Sequence, residues 1–198
     1  MKKILLFILL IGFTSLTSFA QTHAKKGKYG FLKGEKMLNL EFEYDNMNVG
    51  KKMTEDEYVA KKVAEYNEDE AGKGEKWKES WFNSREERYE PKFMELINKS
   101  LLKTDLKADK DAEAKYTLIV KSLFTEPGFN VGVARRPAYV DFEMIFIETA
   151  TEKVVATYSL PKIPGSQMMG FDYDAGTRIA ESYAKSGKMI GAYISKSL

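Results

Sequence analysis

The sequence predicts an α+β fold, in which a mixed β-sheet of about four strands packs against helices. Apolar and polar residues alternate in residues 38–45 (LNLEFEYD) and 139–147 (YVDFEMIFI), a pattern typical of strands with one buried face. Between them, residues 54–103 carry apolar side chains at helical spacing. The predicted order is strand, helical layer, three strands and a final helix, in a single domain over residues 37–198.

The helical layer begins at TEDE, in which Thr54 lies three residues before Glu57. That spacing predicts a capping box, in which the two side chains satisfy free amide groups at the helix start. NEDEAGKGE then interrupts the helix, Trp77 and Trp81 lie four residues apart in the next one, and Pro91 opens a third. The spacing of the tryptophans favours burial against the sheet, and an aromatic platform for a sugar or peptide is the alternative.

The C-terminal half predicts three strands and a helix. YTLIVKSLF, from Tyr116, is apolar on both faces, as expected of a central strand. Residues 139–147 and 154–160 are expected to pair as an antiparallel hairpin across ETATEK. Close packing on the sheet is the simpler explanation for a small-residue stripe in the last helix, and self-association is the alternative. The stripe consists of Ala180, Ala184, Gly187 and Gly191.

The first 20 residues predict a secretory signal peptide with cleavage near Ala20. Lys2 and Lys3 precede an apolar run over residues 4–13, which is shorter than the roughly 20 residues of a membrane-spanning helix. The mature chain is expected to begin near Gln21, to start with a flexible leader over residues 21–36, and to contain no transmembrane segment. The predicted location is therefore the periplasm or the exterior of the cell.

The composition argues against several classes of function. The chain has no cysteine, which removes disulfides, thiol nucleophiles, thiolate metal sites and the lipid-bearing cysteine of exported lipoproteins. Its single histidine, His23, lies in the leader, so histidine-based catalysis and multi-histidine metal sites are not expected. The chain has 31 basic and 29 acidic residues. Removal of Lys2 and Lys3 with the predicted signal peptide would leave 29 of each, so the mature chain is expected to be nearly neutral. We therefore expect no cofactor, no metal site and no nucleic-acid partner.

Three short patterns suggest chemistry but have simpler structural explanations. Ser182 and Lys185 match S-x-x-K, yet the companion segments of penicillin-recognising enzymes are missing. The acidic run over residues 105–113 lacks the glycine and glutamate positions of a calcium-binding loop. Asp141 and Glu143 lie on one predicted strand face at a separation that glycosidases use, but alternation places carboxylates this way on any exposed sheet face. No catalytic residue is therefore predicted.

Two connecting loops are the best candidates for contact with a partner. In residues 125–144 (TEPGFNVGVARRPAYVDFEM), a bend between strands explains the prolines and glycines, but it does not explain Arg135 and Arg136. The second loop, GSQMMGFDYDAG, either contacts a partner through adaptable side chains or covers one end of the core. Its candidate contact residues are Met168, Met169, Phe171 and Tyr173.

The C-terminal half also resembles a known type of bacterial envelope protein. AKYTLIVKSLFTEPG, a loop, AYVDFEMIFIETATEKVVATYSL and a helix ending in GAYISKSL are similar in arrangement to curli-secretion lipoproteins and outer-membrane activators of penicillin-binding proteins. The resemblance covers residues 114–198. The lipobox cysteine is missing, the hairpin turn lacks its usual Asp and Gly, and a long charged helical layer occupies the middle of the chain. The resemblance implies an envelope domain without catalysis and transfers no particular partner.

The leading hypothesis is an exported, non-enzymatic envelope protein that binds another protein or itself. The alternative is an envelope hydrolase or carbohydrate-binding protein that uses Asp141, Glu143, Trp77 and Trp81. A carrier of a small apolar ligand is a third class, and it requires a cavity.

Overall fold

The computed structural model describes residues 29–51, 53–130, 134–166 and 174–198, which adopt the predicted α+β fold. A mixed sheet of seven strands is covered on one face by helices. The strands of this sheet are β1 (Met37–Glu43), β2 (Asn48–Val49), β3 (Met53–Thr54), β4 (Lys107–Lys110), β5 (Tyr116–Glu126), β8 (Tyr139–Glu148) and β9 (Lys153–Pro164). A separate two-stranded ribbon joins β6 (Phe129–Asn130) and β7 (Arg135–Arg136). The helices are α1 (Glu55–Asp69), α2 (Lys73–Ser84), α3 (Glu90–Leu101) and α4 (Ala175–Ser195).

Strand β5 is the centre of the sheet, as its apolar composition predicts. It pairs in parallel with β1 and β2 on one side and antiparallel with β8 on the other. The predicted hairpin is confirmed as β8 and β9, and β4 extends the parallel half beyond β1. Parallel strands need a crossover connection, and helices α1 to α3 supply it between β1 and β4. The short strands β2, β3 and β4 were not predicted, because two to four residues are too few to show an alternating pattern.

The predicted capping box at the start of α1 is present. The Glu57 amide donates to Thr54 Oγ1 at 3.2 Å, and the Thr54 amide donates to Glu57 Oε2 at 2.9 Å. At the other end, Asn67 Oδ1 accepts from the amides of Gly72 and Gly74 at 3.1 and 2.9 Å. These bonds reverse the chain, so that α1 and α2 form a helical hairpin.

Helices α2 and α3 are parts of one continuous helical stretch. A π-helical turn over Arg85–Tyr89 joins them, and Pro91 follows it in the first turn of α3. A π turn inserts an extra residue and rotates the faces of the helix on either side of it. The α2 part can therefore face α1 while the α3 part faces α4. Among the described residues, no helix is both long and apolar enough to cross a bilayer.

The core lies between the sheet and the helices α3 and α4, with Tyr183 near its centre. Tyr183 is 1% exposed, and its ring stacks on Tyr89 at 4.9 Å and meets Phe142 edge-on at 4.8 Å. Its hydroxyl shares a 2.6 Å hydrogen bond with Ser122 Oγ on β5. Burial raises the pKa of Tyr183 well above its usual value, so the side chain stays neutral. A hydrogen-bonded neutral phenol avoids the cost of an unsatisfied polar group in the core.

The small-residue stripe of α4 packs inside the fold. A Cβ added to Gly187 would overlap the carbonyl oxygen of Phe93, and one added to Gly191 would lie 2.7 Å from that of Ile97. The stripe therefore lets α4 approach α3, where the sequence predicted an approach to the sheet. The alternative prediction, self-association through this stripe, does not fit, because both glycines are already covered.

The predicted leader over residues 21–36 extends too far into the chain. Tyr29 and Leu32 are 1% and 0% exposed, and Tyr29 stacks on Tyr158 at 4.7 Å. A 3-10 turn over Gly30–Leu32 brings Phe31 against Tyr116 at 5.1 Å. The apolar run is only a few residues long and is flanked by Lys and Gly, so it shows no periodicity in the sequence. The core therefore begins by Tyr29.

We expect Gly187→Ala to lower the free energy of unfolding by about 1–3 kcal/mol, because the added methyl must push α4 away from α3. Alanine otherwise stabilises a helix relative to glycine, so a loss of stability reports the close contact. Chemical denaturation measures the change. Gly30→Ala is the matched control, because a Cβ there meets no atom within 4 Å, and it should change stability by less than about 0.5 kcal/mol. Equal effects of the two substitutions would contradict the packing argument.

Candidate functional site

A cleft of about 330 Å³ opens between the α1–α2 hairpin and the loop after β5, beside the N-terminus of α4. We call it the aromatic cleft, because five aromatic side chains line it: Tyr58, Tyr66, Trp77, Trp81 and Phe129. The volume falls at the lower end of the range of ligand pockets, which is about 300–1,000 Å³. Both tryptophans of the chain are in this cleft.

One wall of the aromatic cleft is a row of rings on the helical hairpin. The ring centres of Tyr66 and Trp77 lie 5.7 Å apart, and those of Trp77 and Trp81 lie 5.5 Å apart. The ring of Tyr58 contacts both tryptophan rings. Trp81 is 6% exposed, and its indole N–H donates to Glu55 Oε1 at 2.8 Å, whereas Trp77 is only half-buried. The prediction was burial of both rings against the sheet, whereas Trp81 is buried and Trp77 remains accessible. The rings pack mainly on α1, because the hairpin turns the α2 stripe toward it.

The opposite wall is a loop that is held rigidly. Gly128 adopts φ +65°, and a Cβ there would lie 2.5 Å from the carbonyl oxygen of Arg136, so glycine is required. The buried Arg178 donates from Nε to the Pro127 carbonyl at 3.0 Å and from Nη2 to the Gly128 carbonyl at 3.2 Å. The Gly128 amide donates to Glu126 Oε1 at 3.1 Å. These charged groups fix the backbone that carries Phe129, which is 41% exposed.

The two arginines that were predicted to contact a partner have different surroundings in the structure. Arg136 forms an ion pair with Glu126 at 3.3 Å, and its guanidinium lies 5.9 Å from the centre of the Phe129 ring. Arg136 therefore supports the loop. Arg135 is exposed and forms no ion pair with a described residue.

The second predicted loop is not part of the described chain. Met168, Met169, Phe171 and Tyr173 belong to residues 167–173, which lie outside the described residues. The described chain resumes at Asp174, which lines the aromatic cleft.

The charged groups that line the cleft are paired within the protein. Asp174 caps α4 by accepting from the Gly176 amide at 2.8 Å, and it also accepts from the Thr177 hydroxyl and from Arg88. Burial acts to raise the pKa of Asp174, but the bonds from Arg88 and Thr177 outweigh burial and hold that pKa below its usual value. Lys62 pairs with Glu65 at 2.8 Å. Lys62 and Asp174 thus each have a counter-charge within the protein, and Arg178 is held by loop carbonyls.

The lining tyrosine Tyr58 remains protonated. Burial is the main cause that raises its pKa well above the usual value, and the nearby acidic groups, including Tyr66 and Glu126, act in the same direction. At any physiological pH its hydroxyl is a hydrogen-bond donor.

A larger cleft of about 800 Å³ runs between β1 and the π turn, but it is a weaker candidate. Four of its carboxylates are exposed to water, namely Glu41, Glu86, Glu87 and Asp111, and its buried Glu90 already binds Lys110 at 2.5 Å. In the described part of the chain, no three acidic, histidine or cysteine side chains are placed to hold a metal ion. Solvated carboxylates of this kind are common on protein surfaces and do not define a ligand.

The residues of the alternative hypothesis do not form one site. Val140 and Phe142 face the helices and are fully buried, so Asp141 and Glu143, which alternate with them, lie on the opposite face of the sheet. The tryptophans lie on the helical side. Asp141 Oδ1 accepts from the Lys162 amide at 2.6 Å, which gives this carboxylate a structural role.

The Ser-x-x-Lys match is also structural. Lys185 donates to the carbonyl oxygens of Pro164 and Gly165, both at 3.1 Å, and Ser182 is fully buried.

Of the five aromatic lining residues, sequence reasoning missed three, Tyr58, Tyr66 and Phe129, and it also missed Arg178, which supports the loop. A signal exists for the first two, because Tyr58, Lys62 and Tyr66 repeat every four residues and so share one face of α1. Phe129 and Arg178 have no local signal, since 49 residues separate them along the chain.

In comparisons with known proteins, no family model and no curated protein sequence matches the chain. One similar solved structure is that of protein XCC0632 from Xanthomonas campestris, of the family DUF330, with 8% sequence identity and a TM-score of 0.38. The alignment covers 87% of this chain and 88% of that protein.

We expect Arg178→Met to lower the free energy of unfolding by at least about 2 kcal/mol, because it leaves two loop carbonyls without their charged donor. Hydrogen exchange at residues 128–130 should become faster, since the loop loses its anchor. Arg135→Met is the matched control, and this exposed position should shift stability by less than about 0.5 kcal/mol. Unchanged exchange in a folded Arg178→Met protein would contradict the anchoring role.

Proposed function

We propose that the chain is an exported, non-enzymatic protein of the bacterial cell envelope that binds another protein in its aromatic cleft. The observation that carries the proposal is the cleft itself, in which accessible aromatic side chains on the helical hairpin face a loop anchored by Arg178. Aromatic residues on rigid supports are typical of binding sites, because they bury a large area with little loss of side-chain entropy. The signal-peptide pattern and the resemblance of residues 114–198 to envelope proteins support the proposed location.

The state of the charged groups supports binding over catalysis. A catalytic acid or base must be free to exchange a proton with a bound substrate. In the aromatic cleft, Asp174 is occupied by three donors, Lys62 is paired with Glu65 and Arg178 is bound to loop carbonyls. The cleft therefore provides a concave surface, aromatic rings for packing and neutral hydrogen-bond donors.

Export predicts a defined chemical change in the protein. In the cells that make it, the mature chain should begin at Gln21, because signal peptidase cleaves after small-x-small sequences such as Ser18-Phe19-Ala20. Intact-mass measurement after fractionation tests this expectation. A chain that keeps residues 1–20 and remains in the cytoplasmic fraction would contradict export.

Binding at the cleft predicts site-specific crosslinking. A photoreactive phenylalanine analogue at Phe129 should form a discrete adduct with a partner protein in living cells, and Trp77→Ala should reduce it, because the two side chains line the same cleft. The same analogue at Leu102 is the control, since that residue is 79% exposed and is not among the residues that line the cleft. Equal adducts from both positions, or none from Phe129, would contradict the proposed binding role.

A further inference from the structure

We propose that the ligand of the aromatic cleft is an extended, proline-rich segment of the partner in the polyproline II conformation. The inference rests on the proposed binding function and adds the chemistry of the ligand. It follows from the aromatic lining of the cleft and from two hydrogen-bond donors there that make no hydrogen bond among the described residues.

The carboxylate and two loop carbonyls of the cleft already accept hydrogen bonds from the protein. Among the described residues that line the cleft, Asp174 is the only carboxylate, and it accepts from Gly176, Thr177 and Arg88. The carbonyl oxygens of Pro127 and Gly128 accept from Arg178. At these three groups, a donor on the ligand would compete with donors that the protein already supplies.

The donors of the cleft are available. Among the described residues, neither the Trp77 indole N–H nor the Tyr58 hydroxyl makes a hydrogen bond, and burial keeps Tyr58 protonated. A ligand that fits such a site is rich in acceptors and poor in donors. Polyproline meets both conditions, because proline has a carbonyl oxygen but no backbone N–H, and because the polyproline II helix leaves its carbonyls unbonded.

The rings provide a packing surface for this ligand. The ring centres of Tyr66 and Trp77 lie 5.7 Å apart across the hairpin, so the two rings form one continuous aromatic surface. A polyproline II helix has three residues per turn and rises about 3.1 Å per residue, so residues three positions apart lie on the same side of it, roughly 9 Å apart. Prolines on that side can pack on the aromatic surface, with Phe129 on the other side of the cleft. This mode of recognition needs little ordering of the ligand, since the helix is already formed in solution.

The pairing of charges favours a neutral ligand over a charged one. Lys62 and Asp174 already hold their counter-charges, so an ionic group on the ligand would lose hydration without gaining a free partner.

A direct test is a titration of the mature protein with an end-capped decaproline peptide. The protein's two tryptophans both line the cleft, so tryptophan emission reports its occupancy, and the peptide itself contains no aromatic residue. We expect a saturable change in emission with a dissociation constant below about 1 mM. A glycine-serine peptide of the same length should give no change. Absence of a saturable signal with decaproline overturns the ligand class.

Substitutions locate the binding by anisotropy of a labelled decaproline, which does not depend on the tryptophans. Trp77→Ala and Phe129→Ala should each weaken binding about tenfold or more, whereas Leu102→Ala should have no effect. Trp77→Phe keeps a ring and removes the indole N–H, so it should weaken binding by a smaller factor. Phe129→Ala changes an exposed loop residue, so the test remains valid even if Trp77→Ala disturbs the hairpin. Unchanged affinity in Phe129→Ala and Trp77→Phe would overturn the proposal.

A third arm separates the ligand class from the proposed function. Titration with a hexamer of N-acetylglucosamine tests the saccharide alternative at the same site. Saturable binding of the saccharide without binding of decaproline overturns the polyproline proposal. The crosslinking at position 129 in cells is independent of both titrations. An adduct there supports the proposed binding function even if decaproline does not bind, and its absence contradicts that function.

Discussion

The close contact of α3 and α4 is the constraint on which the rest of the structure depends. Gly187 and Gly191 lie against the backbone of Phe93 and Ile97, where any larger side chain would push the helices apart. The close approach of the two helices brings Tyr183 over the centre of the sheet, where its hydroxyl oxygen lies 2.6 Å from Ser122 Oγ. Since a helix is a stiff rod with a fixed rise per residue, fixing its middle also fixes its N-terminus. This placement of the helix puts Arg178 next to the loop after β5.

The two walls of the aromatic cleft are held by different means. Arg178 connects α4 to the loop after β5. The loop wall is therefore fixed to a helix that packs in the core. The helical hairpin is tied to the fold near its base, where Glu55 accepts from Trp81 at 2.8 Å and from Arg85 at 2.5 Å. The Arg85 guanidinium also lies 4.2 Å from the centre of the Tyr44 ring, a favourable cation–π distance. A cleft fixed on both sides binds a pre-formed ligand with a small ordering cost, which agrees with the proposed polyproline II segment.

Local patterns predicted those parts of the fold that depend on nearest neighbours. The capping box at Thr54, the hairpin of β8 and β9 and the central position of β5 each follow from a few consecutive residues, because helical and strand periodicities are local properties. The candidate site was predicted only in part. Trp77 was recognised as an aromatic candidate, but its partners on α1 and the loop after β5 were not. The loop with Arg135 and Arg136 was named as a candidate for partner contact, and Phe129 of the same loop is the side chain that lines the cleft.

The sequence by itself determined the fold class, the order of the long elements and the lack of cysteine in the chain. Only the tertiary structure decided that the glycine stripe of α4 packs on α3, that Tyr29 belongs to the core, and that Asp141 and the tryptophans lie on opposite sides of the sheet. The physical reason is the same in each case. Periodicity indicates which face of an element is buried, but the partner of that face is set by packing between residues far apart in the chain. The pairing of Asp174 in the aromatic cleft is of this second kind, because one of its donors, Arg88, lies 86 residues away along the chain.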